Sequence, residues 1–217
     1  MDSLLIQQKI EQLLTQSSKY DDLLPTDPDY MIYHPSPVGY NTTNEQQYIF
    51  QNLILGFAGG SILDLGCGRG DLYGYISEIY GSDSFKYHGI DRNPLLTDIA
   101  KKKWNLSNIT NGSFEQDTLP SADWVVASGV YTERRTESED TDLIKLFDNV
   151  ELMYNTANHV VSFNLLSPIG NKIVPGFFYV HPGLVLDMLI EKYQYVSIRH
   201  NYSKDIYTVT IYKYDKI

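Results

Sequence analysis

The sequence predicts an α/β fold with a mostly parallel β-sheet covered by helices on both faces. Short apolar segments recur along the chain, and segments with helical periodicity separate most of them. The strand candidates are residues 61–65, 86–90, 124–128 and 159–165, and the helical candidates between them are residues 72–80, 95–104 and 140–157. This alternation is typical of a doubly wound parallel sheet, in which ligands bind at the carboxyl ends of the strands.

The two ends of the chain depart from this alternation. Residues 4–16 place their leucines and isoleucines mostly on one side, which predicts a short amphipathic helix. Residues 17–43 contain four prolines and several tyrosines, so we expect an ordered, irregular flap over the site. Near the carboxyl terminus, a predicted helix at 183–192 precedes two alternating strands within residues 195–214. These two strands predict an antiparallel pair at one edge of the sheet.

The boundary between the flap and the remaining chain is predicted at Asn44. This residue is expected to cap a helix that runs to Phe57 and that glycines terminate. A chain of 217 residues is long enough for one sizeable core but short for two domains. We therefore expect an N-terminal helix and flap in residues 1–43 and one folded domain in residues 44–217.

The composition disfavours nucleic acid and membrane surfaces as partners. The formal net charge is −10 and the isoelectric point is near 4.8, so the surface as a whole repels polyanions. The basic run Lys101–Lys103 is interpreted as the solvated end of a predicted helix. Cys67 is the single cysteine, and no apolar run reaches the ~20 residues that a membrane span needs. We therefore expect a soluble cytoplasmic protein.

A predicted strand leads into a glycine-rich loop in the sequence SILDLGCGRGDL. A phosphate-binding P-loop needs Lys and then Ser or Thr after its last glycine, but Gly70 is followed by Asp71. A dinucleotide-binding loop has the spacing GxGxxG, whereas Gly66, Gly68 and Gly70 form GxGxG. Asp71 stands where the next helix begins, so its side chain can cap the amides that would otherwise bind pyrophosphate. The loop therefore favours a ligand other than phosphate.

Two carboxylates accompany this loop and indicate what the ligand carries. Asp64 ends the strand before the loop, where it would repel a pyrophosphate and attract an ammonium group. Asp91 lies 21 residues after Gly70 and ends the next strand, which is the spacing expected of a carboxylate that accepts ribose hydroxyls. An amino acid joined to a nucleoside, as in S-adenosylmethionine, carries both an ammonium group for Asp64 and ribose hydroxyls for Asp91. A nicotinamide dinucleotide and a plain turn with capping acids are the alternatives.

Three segments resemble the class I S-adenosylmethionine-dependent methyltransferases. ILDLGCGRGDL resembles their first motif, GIDRNP their second, and ADWVVASGVY the strand and loop at the floor of their site. The resemblance runs from about Tyr33 to Tyr214, and ASGVYTER, VVSFNLLS and RHNYSKDIYTVTIYKY resemble a narrower group of bacterial and phage methyltransferase-domain proteins. It implies a Rossmann-like fold with a mostly parallel seven-stranded sheet whose last strand is antiparallel, preceded here by the N-terminal helix and flap.

The resemblance also implies the residues that hold S-adenosylmethionine. The glycines of the loop would line the methionine moiety, Asp64 would lie near the ammonium group, and Asp91 would hold the ribose. The third motif, NGSFEQD, departs from the family pattern and leaves Ser113 or Glu115 as partners for the adenine amine. The predicted cofactor-binding residues are Asp64, Gly66, Cys67, Gly68, Gly70, Asp91, Arg92, Phe114 and Ser128.

Methyl transfer needs alignment more than a fixed catalytic group, so the catalytic candidates are chosen by position. Displacement at a methyl group is accelerated by holding donor and acceptor in line, and a base is needed only if the acceptor must lose a proton. The candidates are His34, Tyr40, Tyr131 and Asn164, in the flap and after the fourth and fifth strands. No grouping of carboxylates or histidines predicts a metal site.

The residues after the fourth strand indicate the class of acceptor. ASGVY lacks the Asn or Asp, the two prolines and the aromatic residue expected of a DNA amino-methylating enzyme, and it has no cysteine nucleophile. We therefore expect a small-molecule or glycan acceptor. The alternative is a methyltransferase-fold protein with a binding or structural role in an assembly, which would use the N-terminal helix and flap to contact a protein partner.

Overall fold

The computed structural model describes residues 3–15, 21–169 and 173–213, and it is organised around one seven-stranded sheet. The strands are β1 (Gly60–Leu65), β2 (Phe85–Asp91), β3 (Ile109–Asn111), β4 (Ala122–Ala127), β5 (Ala157–Leu166), β6 (Val196–Arg199) and β7 (Ile206–Tyr212). Their order across the sheet is β3-β2-β1-β4-β5-β7-β6. Because β1 is central and the order reverses there, the crevice between β1 and its neighbours is the topological switch point, where ligands bind in such folds.

Helices cover both faces of this sheet. They are α1 (Ser3–Thr15), α2 (Tyr30–Tyr33), α3 (Thr43–Leu53), α4 (Asp71–Tyr80), α5 (Pro94–Trp104), α6 (Glu139–Thr156) and α7 (Pro182–Lys192). Successive residues of β1 point to opposite faces of the sheet. Ile62 packs in the cluster that contains the apolar side of α3 and α4, whereas Leu63 packs in the cluster that contains α6 and α7. The prediction of a parallel sheet covered on both faces is confirmed.

The carboxyl-terminal strands form the predicted antiparallel pair. β7 runs antiparallel to β5, with Ser162 opposite Thr210, and antiparallel to β6, with Ser197 opposite Thr210. The short link at 200–205 lets the chain turn back and insert β7 between β5 and β6. The expectation of a mostly parallel sheet with an antiparallel last strand is therefore confirmed.

Two elements differ from the sequence prediction. The helix expected from Asn44 to Phe57 is α3, which ends at Leu53, and its cap is Thr42, whose side chain accepts a hydrogen bond from the Glu45 N–H at 3.1 Å. Thr42 and Glu45 have the capping-box spacing, which indicates a helix start at Thr42 rather than Asn44. β3 was not predicted because three residues are too few to show alternation.

The N-terminal segment packs against the domain. Ile6, Ile10 and Leu13 of α1 lie against the apolar cluster of α3 and α4, which is the covering role expected of an amphipathic helix. The flap contains the single helical turn α2 and a 3₁₀ turn at Ser36–Val38, with prolines preventing a longer helix. Residues 16–20 of this segment lie outside the described residues. None of the helices in the described part of the chain has both the length and the hydrophobicity of a membrane span.

Candidate active site

The glycine loop between β1 and α4 has a backbone that requires glycine. Gly66, Gly68 and Gly70 have φ angles of 71°, 52° and 68°, the left-handed region that side chains disfavour. A Cβ at Gly66 would stand 2.5 Å from Val130 Cγ2, so the loop after β4 also leaves no space for a side chain there. The N–H groups of Gly66 and Cys67 both donate to the Ile90 carbonyl, at 2.8 and 3.1 Å. The loop is therefore fixed between the ends of β2 and β4.

Asp64 is a buried carboxylate beside this loop. Its side chain accepts a hydrogen bond from the Tyr87 hydroxyl at 2.5 Å, and the residue is 2% exposed. Asp64 lines a small cavity together with Gly66, Gly68 and Ser128. Burial raises the pKa of Asp64 from 3.8 to about 7, and the Tyr87 hydrogen bond only partly opposes this. A buried carboxylate of this kind favours a cationic group beside it, because the charged form gains a partner.

Asp91 connects the end of β2 to the same loop. One carboxylate oxygen accepts a hydrogen bond from the Gly68 N–H at 2.9 Å, and the other accepts from the Asn93 N–H at 2.8 Å. Asp91 also lines the cleft, which we define as the 390 Å³ depression along the carboxyl ends of β1, β2 and β4. Its volume is in the range of small-ligand sites. Residues predicted from sequence that line the cleft are Gly66, Gly68, Asp91, Arg92, Ser113, Phe114, Glu115 and Ser128.

The floor of the cleft after β4 is held by a hydrogen-bond network. Asn164 of β5 accepts a hydrogen bond from the Gly129 N–H at 2.8 Å and donates from Nδ2 to Ser128 Oγ at 3.0 Å. The Ser128 hydroxyl is also hydrogen-bonded to the Tyr40 hydroxyl, at 2.7 Å. Through these contacts Asn164 positions Ser128 and Gly129, while Tyr40 joins the flap to the same turn. Burial raises the pKa of Tyr40, so its hydroxyl is neutral near pH 7.

Solved methyltransferase structures share this architecture. Human N-acetylserotonin methyltransferase (ASMT), in complex with S-adenosylmethionine (SAM), matches with a TM-score of 0.60 at 14% sequence identity, covering 97% of this chain and 67% of that chain. The complex of DhpI with SAH matches with a TM-score of 0.52 at 15% identity, covering 97% of both chains. The chain has the class I methyltransferase fold. No protein-family model and no curated protein sequence matches it.

A further solved structure extends the range of proteins with this fold. Magnesium protoporphyrin IX methyltransferase (ChlM) from Synechocystis PCC 6803, with bound SAM, matches with a TM-score of 0.52 at 12% identity. The match covers 72% of this chain and 71% of that chain. Six of the nine sequence-predicted cofactor residues line the cleft at the ends of β1, β2 and β4. Asp64 and Cys67 instead line the small cavity beside it, and Gly70 lines neither.

The structure separates the four catalytic candidates. Tyr40 and Asn164 hold the Ser128–Gly129 turn but do not line the cleft, and Tyr40 lines the small cavity beside Asp64. Tyr131 instead packs in the core cluster of α6, with its hydroxyl donating to Met153 Sδ at 3.6 Å. His34 is buried in the flap, where it stacks on Tyr30 and its Nδ1 accepts a hydrogen bond from the Ser36 N–H at 3.2 Å. Neither Tyr131 nor His34 lines the cleft.

The structure shows a buried ion-pair cluster next to the glycine loop that the sequence pattern does not predict. Asp71 accepts hydrogen bonds from Arg69 and Lys103, both at 2.7 Å. The expectation that its side chain caps the amides of α4 is wrong, because no side-chain cap hydrogen bond forms there. Burial opposes ionisation of Asp71, but the two cations outweigh it and hold its pKa below the ordinary value. Arg69, 1% exposed, also donates to the carbonyls of Met31 and His34. The cluster therefore ties the flap to the loop.

This cluster also corrects the interpretation of the basic run. Lys103 was expected at a solvated helix end, but only 10% of its side chain is exposed, and it donates to the Ile32 carbonyl at 3.1 Å. The spacing of Arg69 and Asp71 on either side of Gly70 was the one sequence signal that could have indicated a local ion pair. Within the described ranges, His, Cys, Asp and Glu side chains form no group of three or more that could hold a metal ion.

Proposed function

We propose that this chain is a SAM-dependent methyltransferase that acts on a small-molecule or glycan-type acceptor. The observation that carries the proposal is the pairing of a buried carboxylate, Asp64, with a left-handed glycine loop and with Asp91 at the end of the adjacent strand. This arrangement matches the chemistry of an amino-acid nucleoside: an ammonium group at one end and ribose hydroxyls in the middle. The class I methyltransferase fold supports the same cofactor.

The residues of the cleft and of the small cavity beside Asp64 fit this cofactor. Asp64 would accept the ammonium group, directly or through water, which would compensate a carboxylate whose pKa burial raises to about 7. Gly66 and Gly68 expose backbone to the methionine moiety without a side chain in the way. Asp91 would accept the ribose hydroxyls while holding the Gly68 N–H. Phe114 and Arg92 would flank the adenine.

The chemistry that SAM supplies when bound is a methyl group on a sulfonium, which is open to in-line displacement. The contribution of this chain is then to exclude water and to align the acceptor. Asn164 holds the Ser128–Gly129 turn rigid, and Tyr40 covers it from the flap. Because burial keeps the Tyr40 hydroxyl neutral, its role at this site is hydrogen bonding rather than proton abstraction.

Two observations support the class of acceptor. The net charge of −10 disfavours a nucleic acid, whose binding depends on neutralising phosphates. The structurally similar proteins include enzymes named for small-molecule acceptors, N-acetylserotonin and magnesium protoporphyrin IX.

Isothermal titration and turnover test the proposal in sequence. SAM and S-adenosylhomocysteine (SAH) should each bind at one site per chain, whereas NAD should not bind. Incubation with SAM and fractionated small-molecule extract should then release SAH, and an Asp91→Asn variant should not release it. Absence of SAM binding at millimolar concentration would reject the proposal; binding without turnover on any extract would reject the enzymatic part and retain the cofactor site.

A further inference from the structure

One wall of the proposed cofactor site belongs to the flap. Residues 36–39, called the flap wall below, line the cleft that Asp91 also lines. Val38 of this wall lines the small cavity beside Asp64 as well, and a Cβ at Gly68 would stand 3.5 Å from Val38 Cγ1. The flap wall therefore packs beside the glycine loop, and its displacement would open the site to solvent on this side.

The flap is fastened on both sides of this wall. On the carboxyl side, the Tyr40 hydroxyl is hydrogen-bonded to Ser128 Oγ at 2.7 Å. On the amino side, Arg69 Nη1 donates to the carbonyls of Met31 and His34, both at 2.8 Å. Because Arg69 is itself a residue of the glycine loop, its side chain fixes the distance between that loop and the flap.

The guanidinium of Arg69 is held on all of its nitrogens by the chain itself. Besides the two bonds from Nη1 to the flap, Nε and Nη2 donate to Asp71 at 3.2 and 2.7 Å. Arg69 lines the small cavity, but only 1% of the residue is exposed. Because these bonds fix the orientation of the guanidinium, Arg69 acts on the site through the groups that it holds.

We propose that Arg69 is a positioning residue for the methyl transfer, because it holds the flap wall closed over the bound cofactor and so excludes water from the site. The inference rests on the proposed function, since a closed wall has this role only if the cleft holds SAM. Without the guanidinium, the carbonyls of Met31 and His34 lose their donor, whereas Asp71 keeps Lys103. The flap should then open more often while the loop keeps an ion pair.

Hydrogen exchange of the flap amides in the ligand-free chain tests the fastening. Arg69→Met should speed exchange of flap amides such as those of His34 and Gly39 about tenfold, because a buried hydrogen bond to each of two carbonyls is lost. In the wild type, saturating SAH should slow the exchange of the same amides, since the cofactor would bind against the closed wall.

Lys213→Met is the matched control. Lys213 likewise donates to two backbone carbonyls, those of Tyr154 and Ala157, and Ala157 begins β5 at the end of the sheet opposite the cleft. Both Arg69→Met and Lys213→Met should lower the midpoint of urea denaturation, but only Arg69→Met should speed exchange in the flap. The comparison separates opening of the flap from a general loss of stability.

Release of tritiated SAH, chased with excess unlabelled SAH, measures the consequence for the site. Arg69→Met should release SAH about tenfold faster than the wild type, with a similar loss of affinity, because a flap that opens more often retains the ligand for less time. Lys213→Met should release SAH at the wild-type rate. Arg69→Lys keeps a charge beside Asp71 but has fewer donors, so it should show both effects at roughly threefold and remains informative if Arg69→Met does not fold.

The outcomes distinguish this inference from the proposed function. No binding of SAH by the wild type would overturn both. Binding by the wild type, with flap exchange unchanged in the Arg69 variants, would overturn the inference alone and leave the cofactor site in place. The same holds if flap exchange is faster but the release of SAH is not, or if Lys213→Met speeds both equally.

Discussion

Replacing Asp64 by Asn should make the ligand-free protein more stable and the cofactor bind more weakly. In the folded chain, burial raises the pKa of Asp64 from 3.8 to about 7, so ionising the side chain opposes folding. A carboxyl with a raised folded-state pKa contributes stability below pH 4 that is lost as the pH rises to 7. The rise in the pKa of Asp64 on folding lowers the free energy of unfolding by roughly 4 kcal/mol at pH 8. Asn keeps an acceptor for the Tyr87 hydroxyl without the charge.

Urea denaturation of both proteins at several pH values measures this effect. The difference in free energy of unfolding, variant minus wild type, should be near zero at pH 4 and should grow to roughly 4 kcal/mol by pH 8. Comparing the two proteins at each pH removes contributions from other titrating groups, among them Asp71, whose pKa is lowered in the folded state. If the difference in free energy of unfolding between variant and wild type does not change with pH, the raised pKa assigned to the buried Asp64 carboxyl is refuted.

The same carboxylate should make cofactor affinity depend on pH. If only the ionised form of Asp64 pairs with the ammonium group, the SAH dissociation constant of the wild type should rise about tenfold from pH 8 to pH 6. In Asp64→Asn the affinity at pH 8 should be about 100-fold weaker, because one partner of a buried charge pair is lost, and it should no longer depend on pH. Isothermal titration with SAH gives both values. Equal pH profiles for the two proteins would show that Asp64 does not contact the ligand.

Three further substitutions test the geometry around the cleft by urea denaturation. Gly66→Ala should cost about 2 kcal/mol or more, since φ is 71° and the new methyl would stand 2.5 Å from Val130 Cγ2. Asn164→Ala should cost about 2 kcal/mol because the Gly129 N–H loses its acceptor, which Asn164→Asp would retain. Lys103→Met should lower the free energy of unfolding by roughly 2 kcal/mol. This loss is smaller than for breaking an isolated buried ion pair, because Asp71 remains paired with Arg69.

Matched variants give the controls for these substitutions. Val130→Ala in the Gly66→Ala background should recover the steric part of the loss but not the backbone part. Lys102→Met changes an exposed lysine of the same run and should leave stability unchanged. Equal losses for Lys102→Met and Lys103→Met, or for Asn164→Asp and Asn164→Ala, would contradict the roles assigned to these side chains.

The fold was largely predictable because its signals are local. The strands at the centre of the sheet are short runs of buried apolar residues, and the spacing of Asp64, the loop glycines and Asp91 follows from a strand, a turn and the next strand. The end of α3 and the three-residue β3 were not predictable to the same degree. The last turn of a helix is poorly defined by local sequence, and a strand of three residues carries too little periodicity.

The parts of the site that could not be predicted depend on contacts between residues distant in sequence. Lys103 reaches Asp71 and Ile32 only after α5 has packed beside α4, so a lysine run on a helix end gives no sign of a buried ion pair. Tyr131 follows the predicted strand as expected of a site residue, yet the turn directs its side chain into the core. His34 has the chemistry of a base but is enclosed by the flap.

A crystal structure of the chain with SAH tests the central claim most directly. The ribose hydroxyls should lie within hydrogen-bond distance of the Asp91 carboxylate, and the amino group should reach Asp64 directly or through one water. The glycine loop should run alongside the homocysteine. An empty cleft at saturating SAH, or a ribose bound away from Asp91, would contradict the assignment of this cleft as the cofactor site.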